Sequence, residues 1–200
     1  MTGTIRLFIE GGGPHERTQK QLRRGFTAFL RSVLGLKVRH VRVEPRGARA
    51  LDDFRRAMRT YPDDVAMLLV DAEGPATGSP KAHVAAQVKT ACPGDEDQYH
   101  LMVQAFEAWL IVDLDALRGF YGPRLNENPL RGRDNVEDIP KDDLEPKLKE
   151  ATRTTRKGEY HKIRHAAPLL ERLDPRKVRA RAPYCERLFA FLETKLAELP

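Results

Sequence analysis

The chain has 200 residues and a mass of 22.7 kDa, which suits one compact domain or a domain with an elaborated second half and excludes two independent cores. Its hydrophobic content of 40% is ordinary for a globular protein; no apolar run approaches the roughly 18 residues of a membrane helix, and the start lacks the basic and apolar regions of a signal peptide, so we expect a soluble, cytoplasmic protein with no membrane contact. Two cysteines, Cys92 and Cys185, fit neither a disulfide framework nor a paired zinc motif, and the net charge of +6 directs attention to how the charge is distributed.

The first predicted element is a strand, Ile5-Arg6-Leu7-Phe8-Ile9, which stops at Glu10-Gly11-Gly12-Gly13-Pro14. From Arg17 to Leu34, Leu22, Phe26, Phe29, Leu30 and Val33 recur at spacings of three and four, which predicts an amphipathic helix ended by Gly35. Val38 to Val43 alternates and reads as a second strand, and Leu51 to Arg59 as a helix with Asp52 and Asp53 in its first turn. The continuous apolar run Val65 to Val70 predicts a central strand buried on both faces, with Asp71 at its end. This alternation argues for a parallel sheet with right-handed crossovers. A Gly/Pro loop then leads to a helix over Pro80 to Thr90, an acidic loop from Cys92 to Gln98, and a fourth strand over Tyr99 to Val103. That strand runs into a helix from Gln104 to about Leu117. Tyr121 to Pro140 reads as a long surface excursion, followed only by helices at Leu144 to Thr152, His161 to Leu173 and Pro183 to Leu199. The expected fold is α/β, a parallel sheet in residues 1–113 with a helical extension, residues 114–200, packed on it as a single compact unit.

Residues 15–60 hold 13 Lys/Arg against 4 Asp/Glu and residues 147–187 hold 13 against 5, whereas residues 61–146 hold 7 against 17. Two basic arms around an acidic middle suit a protein that attracts a polyanion while keeping carboxylates for cations; solvated helix faces are the plainer explanation. In a parallel sheet, ligands gather at the carboxyl ends of the strands. Glu10 follows the first strand, Asp71 ends the third, and Glu73 lies two residues on, a set of oxygen donors suited to Mg²⁺ or Mn²⁺ beside phosphate oxygens. Each alternatively serves as a turn or cap residue. Gln104 and Glu107, three apart at the start of a helix, can look toward the same edge, which makes Glu107 a fourth acidic candidate. Trp109 reads as core, with a base-stacking platform as the alternative. Gly11-Gly12-Gly13 fails the dinucleotide fingerprint because Glu16 stands where a third spaced glycine is needed, and reads better as a turn that lets backbone approach a phosphate or metal-bound ligand, or simply as an open loop. His161 and His165 have the spacing of helical zinc ligands but no Glu base between them.

These motifs resemble the Toprim domain. Ile9-Glu10-Gly11-Gly12-Gly13 is similar to its Glu-Gly turn, and Leu69-Val70-Asp71-Ala72-Glu73-Gly74 to its Asp-x-Asp motif with Glu replacing the second Asp. Over most of its length the chain resembles a bacterial family of small uncharacterised Toprim-related proteins, often encoded beside ATPases in defence loci. That resemblance takes in His100-Leu-Met-Val-Gln104-Ala-Phe-Glu107-Ala-Trp109, Tyr160-His-Lys162, and the Leu-Asp-Pro run at 173–175 with Val178-Arg179 after it.

The resemblance implies a Mg²⁺- or Mn²⁺-dependent nuclease acting on DNA or RNA, the effector of an ATPase-linked anti-phage system, with an AAA- or ABC-type ATPase as partner and self-association left open. Glu10, Asp71, Glu73 and Glu107 would hold metal. By analogy with overcoming-lysogenization-defect nucleases, Lys162 would stabilise charge on the transferring phosphoryl group. Gly11, Gly12, Gln104, His161, Arg164 and His165 are the candidate substrate contacts. The alternative is a non-catalytic Toprim-like subunit or scaffold that binds the ATPase.

Overall fold

The computed structural model describes residues 3–199. Strands β1 (Ile5–Ile9), β2 (Val41–Pro45), β3 (Val65–Asp71) and β4 (Tyr99–Met102) form one sheet in the order β2-β1-β3-β4, with every pairing parallel. The helices are α1 (Glu16–Leu34), α2 (Ala50–Thr60), α3 (Pro80–Val88), α4 (Glu107–Val112), α5 (Leu114–Tyr121), α6 (Lys141–Thr152), α7 (Lys162–Leu170), α8 (Pro175–Arg181) and α9 (Pro183–Glu198). Among the described residues no helix is long and apolar enough to cross a membrane.

Alternation along the strands builds two cores. Ile5, Leu7 and Ile9 of β1 and Met67 and Leu69 of β3 face one side, where they join Phe26, Phe29, Trp109, Leu169, Leu188 and Phe189 from α1, α4, α7 and α9. Phe8, Leu68 and Val70 face the other side and pack with Phe54 of α2 and Val84 of α3. The sheet is therefore covered on both faces, as an all-parallel sheet requires. The C-terminal helices supply much of the first layer, with α1 against α7 and α9 against β4. Arg187 of α9 donates to Tyr99 O at 2.6 Å and lies beside His100 Nδ1 at 3.2 Å, and burial followed by this guanidinium pushes the His100 pKa down to about 3.

Four sequence expectations are corrected. The second strand begins at Val41 rather than Val38, because after Gly35 (φ 57°) the chain makes a 3₁₀ turn through His40 before extending. Gln104 lies outside any helix, in a left-handed conformation at φ 63°. The run to Leu117 is broken at Asp113, whose side chain accepts from Ala116 N at 3.3 Å and caps α5. The segment 121–140 is only in part a surface excursion, because Tyr121, Leu130, Val136 and Ile139 are buried in the first core. Helix α8 lies within what sequence left unassigned, capped by Asp174 with Pro175 at its first position.

Candidate functional site

Parallel register brings Ile9 beside Leu69, and Asp71 beside Met102, so the segments after β1, β3 and β4 leave the sheet at one edge. The Glu10 N–H still donates to Leu69 O at 2.9 Å, and Ala72 N–H to Met102 O at 3.0 Å, which fixes where both turns begin. Asp71 Oδ1 accepts the Phe106 N–H at 2.9 Å at the entry to α4, and Oδ2 lies 3.8 Å from Lys162 Nζ. Glu107 is buried in the first turn of α4; it accepts Tyr160 Oη–H at 3.1 Å, and Lys162 Nζ stands 3.3 Å from its carboxylate. Glu73 pairs with the Lys141 ammonium. Glu10, Asp71 and Glu73 line one cavity of about 530 Å³, bounded also by α2 and α3. A second cavity, of about 410 Å³, opens on the other side of Glu10 and Asp71, between α1 and α7.

Four carboxylates thus meet two lysines at the carboxyl edge, and the electrostatics follow from crowding under partial burial. Burial, reinforced by Glu107 and Glu10 and opposed by Lys162, raises Asp71 to about 7. Burial and then the Glu73 charge also push Glu10 above the usual carboxylate range. For Lys162 burial works against the charge, but the Glu107 and Asp71 carboxylates outweigh it and its pKa rises. Tyr160 is driven well above the ordinary phenol value by burial and by Glu107.

Backbone strain collects at the same place. Glu73 (φ 60°) and Gln104 (φ 63°) are non-glycine residues in the left-handed region, on the loops after β3 and β4. Gln104 N–H donates to Gly74 O at 3.1 Å, its side-chain amide donates to Glu137 O at 3.1 Å, and its Oε1 accepts Lys141 N–H at 3.2 Å. Gln104 is therefore a clamp that seats Lys141 beside Glu73, and its buried amide is committed rather than presented to substrate.

The glycine turn has its own logic. Gly12 adopts φ 80°, and a Cβ there would stand 3.1 Å from Gln19 Cα, so a side chain is excluded both by conformation and by space. The turn's carbonyls are tied back: Gly11 O accepts Gly47 N–H at 3.0 Å, Gly12 O accepts Thr18 Oγ1–H, and Gly13 O accepts Gln19 Nε2–H at 2.9 Å. The N–H groups of Gly11, Gly12 and Gly13 have no partner among the described residues. Of the remaining candidates, His161 and Arg164 are exposed on α7 and its cap, whereas His165 is buried against Phe120, Tyr121 and Tyr160, with Nδ1 2.9 Å from Tyr121 Oη. That interior position takes His165 away from any ligand.

Sequence reasoning missed Lys141 and the role of Tyr160. Tyr160 lies two residues before Lys162 in a motif already noted, so its proximity to Glu107 had a signal. Nothing in the sequence joins Lys141 to Glu73, 68 positions away.

The donor set consists of hard carboxylate oxygens, which fit Mg²⁺ or Mn²⁺. Among the described residues no group of three or more His, Cys, Asp or Glu side chains is placed to hold a metal ion as the side chains stand.

These features define an all-parallel α/β protein with an acidic, lysine-bridged site at the carboxyl edge of its sheet. The chain belongs to the family described as Domain of unknown function (DUF4276), whose profile matches residues 9–193. No curated protein and no solved structure matches it.

Proposed function

We propose that the protein is a Mg²⁺- or Mn²⁺-dependent nuclease that hydrolyses phosphodiester bonds of DNA or RNA, built on a Toprim-like site. The observation that carries the reading is the gathering of Glu10, Asp71, Glu73 and Glu107 with Lys162 at one sheet edge, beside a glycine turn with uncommitted N–H groups. The Glu-Gly turn after β1 and the Asp-x-Glu segment after β3 support the Toprim kinship. Glu10, Asp71 and Glu73 would hold the cation, while Glu107, buried beneath Lys162, serves first as its anchor. Bound there, a divalent ion would supply charge neutralisation and acidify water.

The chain's own groups divide the remaining work. Hydrolysis forms a bond from water oxygen to phosphorus, breaks the bridging P–O bond and leaves a proton on the departing oxygen. The Lys162 ammonium, fixed by Glu107 and facing Asp71 Oδ2, is poised to offset charge on the phosphoryl oxygens as that bond breaks. The N–H groups of Gly11 to Gly13 can donate to the same phosphate. Helix α1 packs on α7, which sets the two basic blocks side by side as a surface for flanking phosphates.

One observation favours a second reading. Lys162 and Lys141 already neutralise much of the acidic set, as expected of a non-catalytic Toprim-like subunit that docks an ATPase partner. Cleavage of single- and double-stranded DNA and RNA with Mg²⁺ or Mn²⁺, lost in Asp71→Ala and kept in the surface control Glu150→Gln, supports the enzyme. Tight binding of the neighbouring ATPase with no cleavage under any metal supports the scaffold.

A further inference from the structure

The carboxylate row has a cavity on each side, and the two differ in chemistry. The one bounded by α2 and α3 carries Asp52, Arg55 and Gln87. The one between α1 and α7 has apolar walls formed by Leu22, Phe26, Phe106, Ala166 and Ala167, yet its mouth is formed by Glu10, Asp71 and Lys162. A phosphate has no use for such walls. At about 410 Å³ the space is in the range of sites for small organic ligands, roughly 300–1,000 Å³, and far exceeds what one phosphoryl group fills.

We propose that the α1–α7 cavity is a base-binding pocket, which receives the unstacked nucleobase of the nucleotide whose phosphate lies against Glu10, Asp71 and Lys162. The inference rests on the phosphodiesterase reading above and narrows its substrate to a nucleotide that is unpaired or can be turned out of its helix. Phe26 and Phe106, with ring centroids 6.0 Å apart and tilted by 47°, are buried and back the inner wall, so the apolar surface open to a base is that of Pro14 and Ile163 at the rim. Ile163, the residue after Lys162, stands at the rim with 63% of its surface exposed, an apolar side chain left in water beside a cationic one. A base entering the pocket would cover it. His15 and Gln21, also at the rim, have no side-chain hydrogen bonds among the described residues and can meet the polar edge of the base.

Two experiments test this, one of them independent of turnover. Trp109, the sole tryptophan, packs on Phe26 and Phe106 with centroids 6.4 and 6.3 Å away, so its fluorescence reports on the pocket wall. Adenosine 5′-monophosphate should bind at least about tenfold more tightly than ribose 5-phosphate in Mg²⁺ and should alter Trp109 emission. Ala166→Leu, which fills the pocket from α7, and Ala48→Trp, which narrows it from an exposed position, should each weaken the mononucleotide by more than the sugar phosphate. Equal affinity for the two probes, or equal loss for both in the two variants, overturns the pocket.

The second experiment compares cleavage of a single-stranded oligonucleotide, the same strand with one abasic position, and a covalently closed duplex circle. Cleavage suppressed at the abasic position and slow on the closed duplex is expected. Equal rates on all three overturn the pocket while the nuclease reading stands. Absence of cleavage on every substrate, with base-dependent mononucleotide binding retained, overturns the nuclease reading and leaves the pocket.

Discussion

Glu44 and Asp71 are both acidic groups near the carboxyl ends of the two strands that flank β1, and their surroundings are opposite. Glu44 is buried among three guanidinium groups: Arg6 at 3.3 Å, Arg42 at 3.0 Å and Arg46 in direct contact. Arg6 also holds Asp64 at 2.6 Å and stacks over Tyr61 at 3.8 Å, so this corner is a closed network in which every charge has an answer. Asp71 shares its edge with three other carboxylates and has one lysine 3.8 Å away. A buried charge that is fully paired is satisfied within the fold, whereas a crowded carboxylate with a raised pKa in a cleft is a candidate functional group. Comparison of the two regions thus separates an acid enclosed by arginines from crowded acids that share two lysines, the set we propose holds a cation.

The largest effect should come from exchanging charge for its neutral isostere at both places. Asp71→Asn should abolish metal-dependent cleavage, by roughly 100-fold or more, with the fold intact and its melting temperature unchanged or raised. Glu44→Gln should do the reverse, costing about 1.5–3 kcal/mol in denaturant unfolding because three arginines lose a charged partner, while specific activity of the folded fraction persists. A Glu44 variant that is fully stable but inactive, or an Asp71 variant that unfolds, would reverse the assignment.

Next in size is Lys162. Lys162→Ala should lower turnover by about 10- to 100-fold and leave Mn²⁺ affinity equal or improved, since the amine stands where it competes with a cation for Asp71 and Glu107. Titration of Mn²⁺ into both proteins, followed by its paramagnetic signal, separates this from a metal ligand, whose loss weakens Mn²⁺ binding.

The pH dependence should be smaller but of definite sign. The folded protein favours the protonated form of Asp71, so this contribution to stability is fully present below the ordinary value of 3.8 and is lost as pH rises through about 7. Glu10 acts in the same direction. Cation-free protein should therefore lose melting temperature across that interval, and Mg²⁺ should raise it more at pH 8 than at pH 5, because binding needs the carboxylates ionised. A melting temperature that rises across that interval, or equal Mg²⁺ stabilisation at both values, contradicts the assignment.

The parts legible from sequence were those in which one physical signal acts alone. The apolar run Val65 to Val70 and the short β-branched and aromatic run Ile5 to Ile9 have a single explanation, and β1 and β3 lie where they predict. The 3₁₀ turn at Gly35–His40 was hidden because Val38 and Val41 suit a strand or a tight turn equally. The left-handed Gln104 could not be read, because its conformation is imposed by partners at Gly74, Glu137 and Lys141, all distant in sequence. For the same reason Glu10, Asp71 and Glu73 were nameable from their place after strands, whereas Lys141 was not. Helix α8 was legible in principle, since Asp174-Pro175 is a helix start, but its seven residues carry only Val178 and Pro175 to the core.

The smallest predicted effect concerns the basic blocks, where the same contrast between answered and unanswered charge recurs. Arg179 lies in the second block but is bound to Glu186 at 2.5 Å and Glu193 at 2.7 Å and covers Phe189 at 5.0 Å, so its charge belongs to the fold. Arg31 lies on the exposed face of α1, with no ion pair among the described residues. If phosphates run along that face, Arg31→Ala should lessen the slope of log affinity against log salt by about 0.7 to 0.9 and weaken nucleic-acid binding only a few-fold, since one counterion fewer is released. Arg179→Ala should leave the slope alone and lower the melting temperature. The electrostatic reading of composition fails if the two variants show the same slope, because the excess of Lys and Arg would then serve only to solvate helix faces.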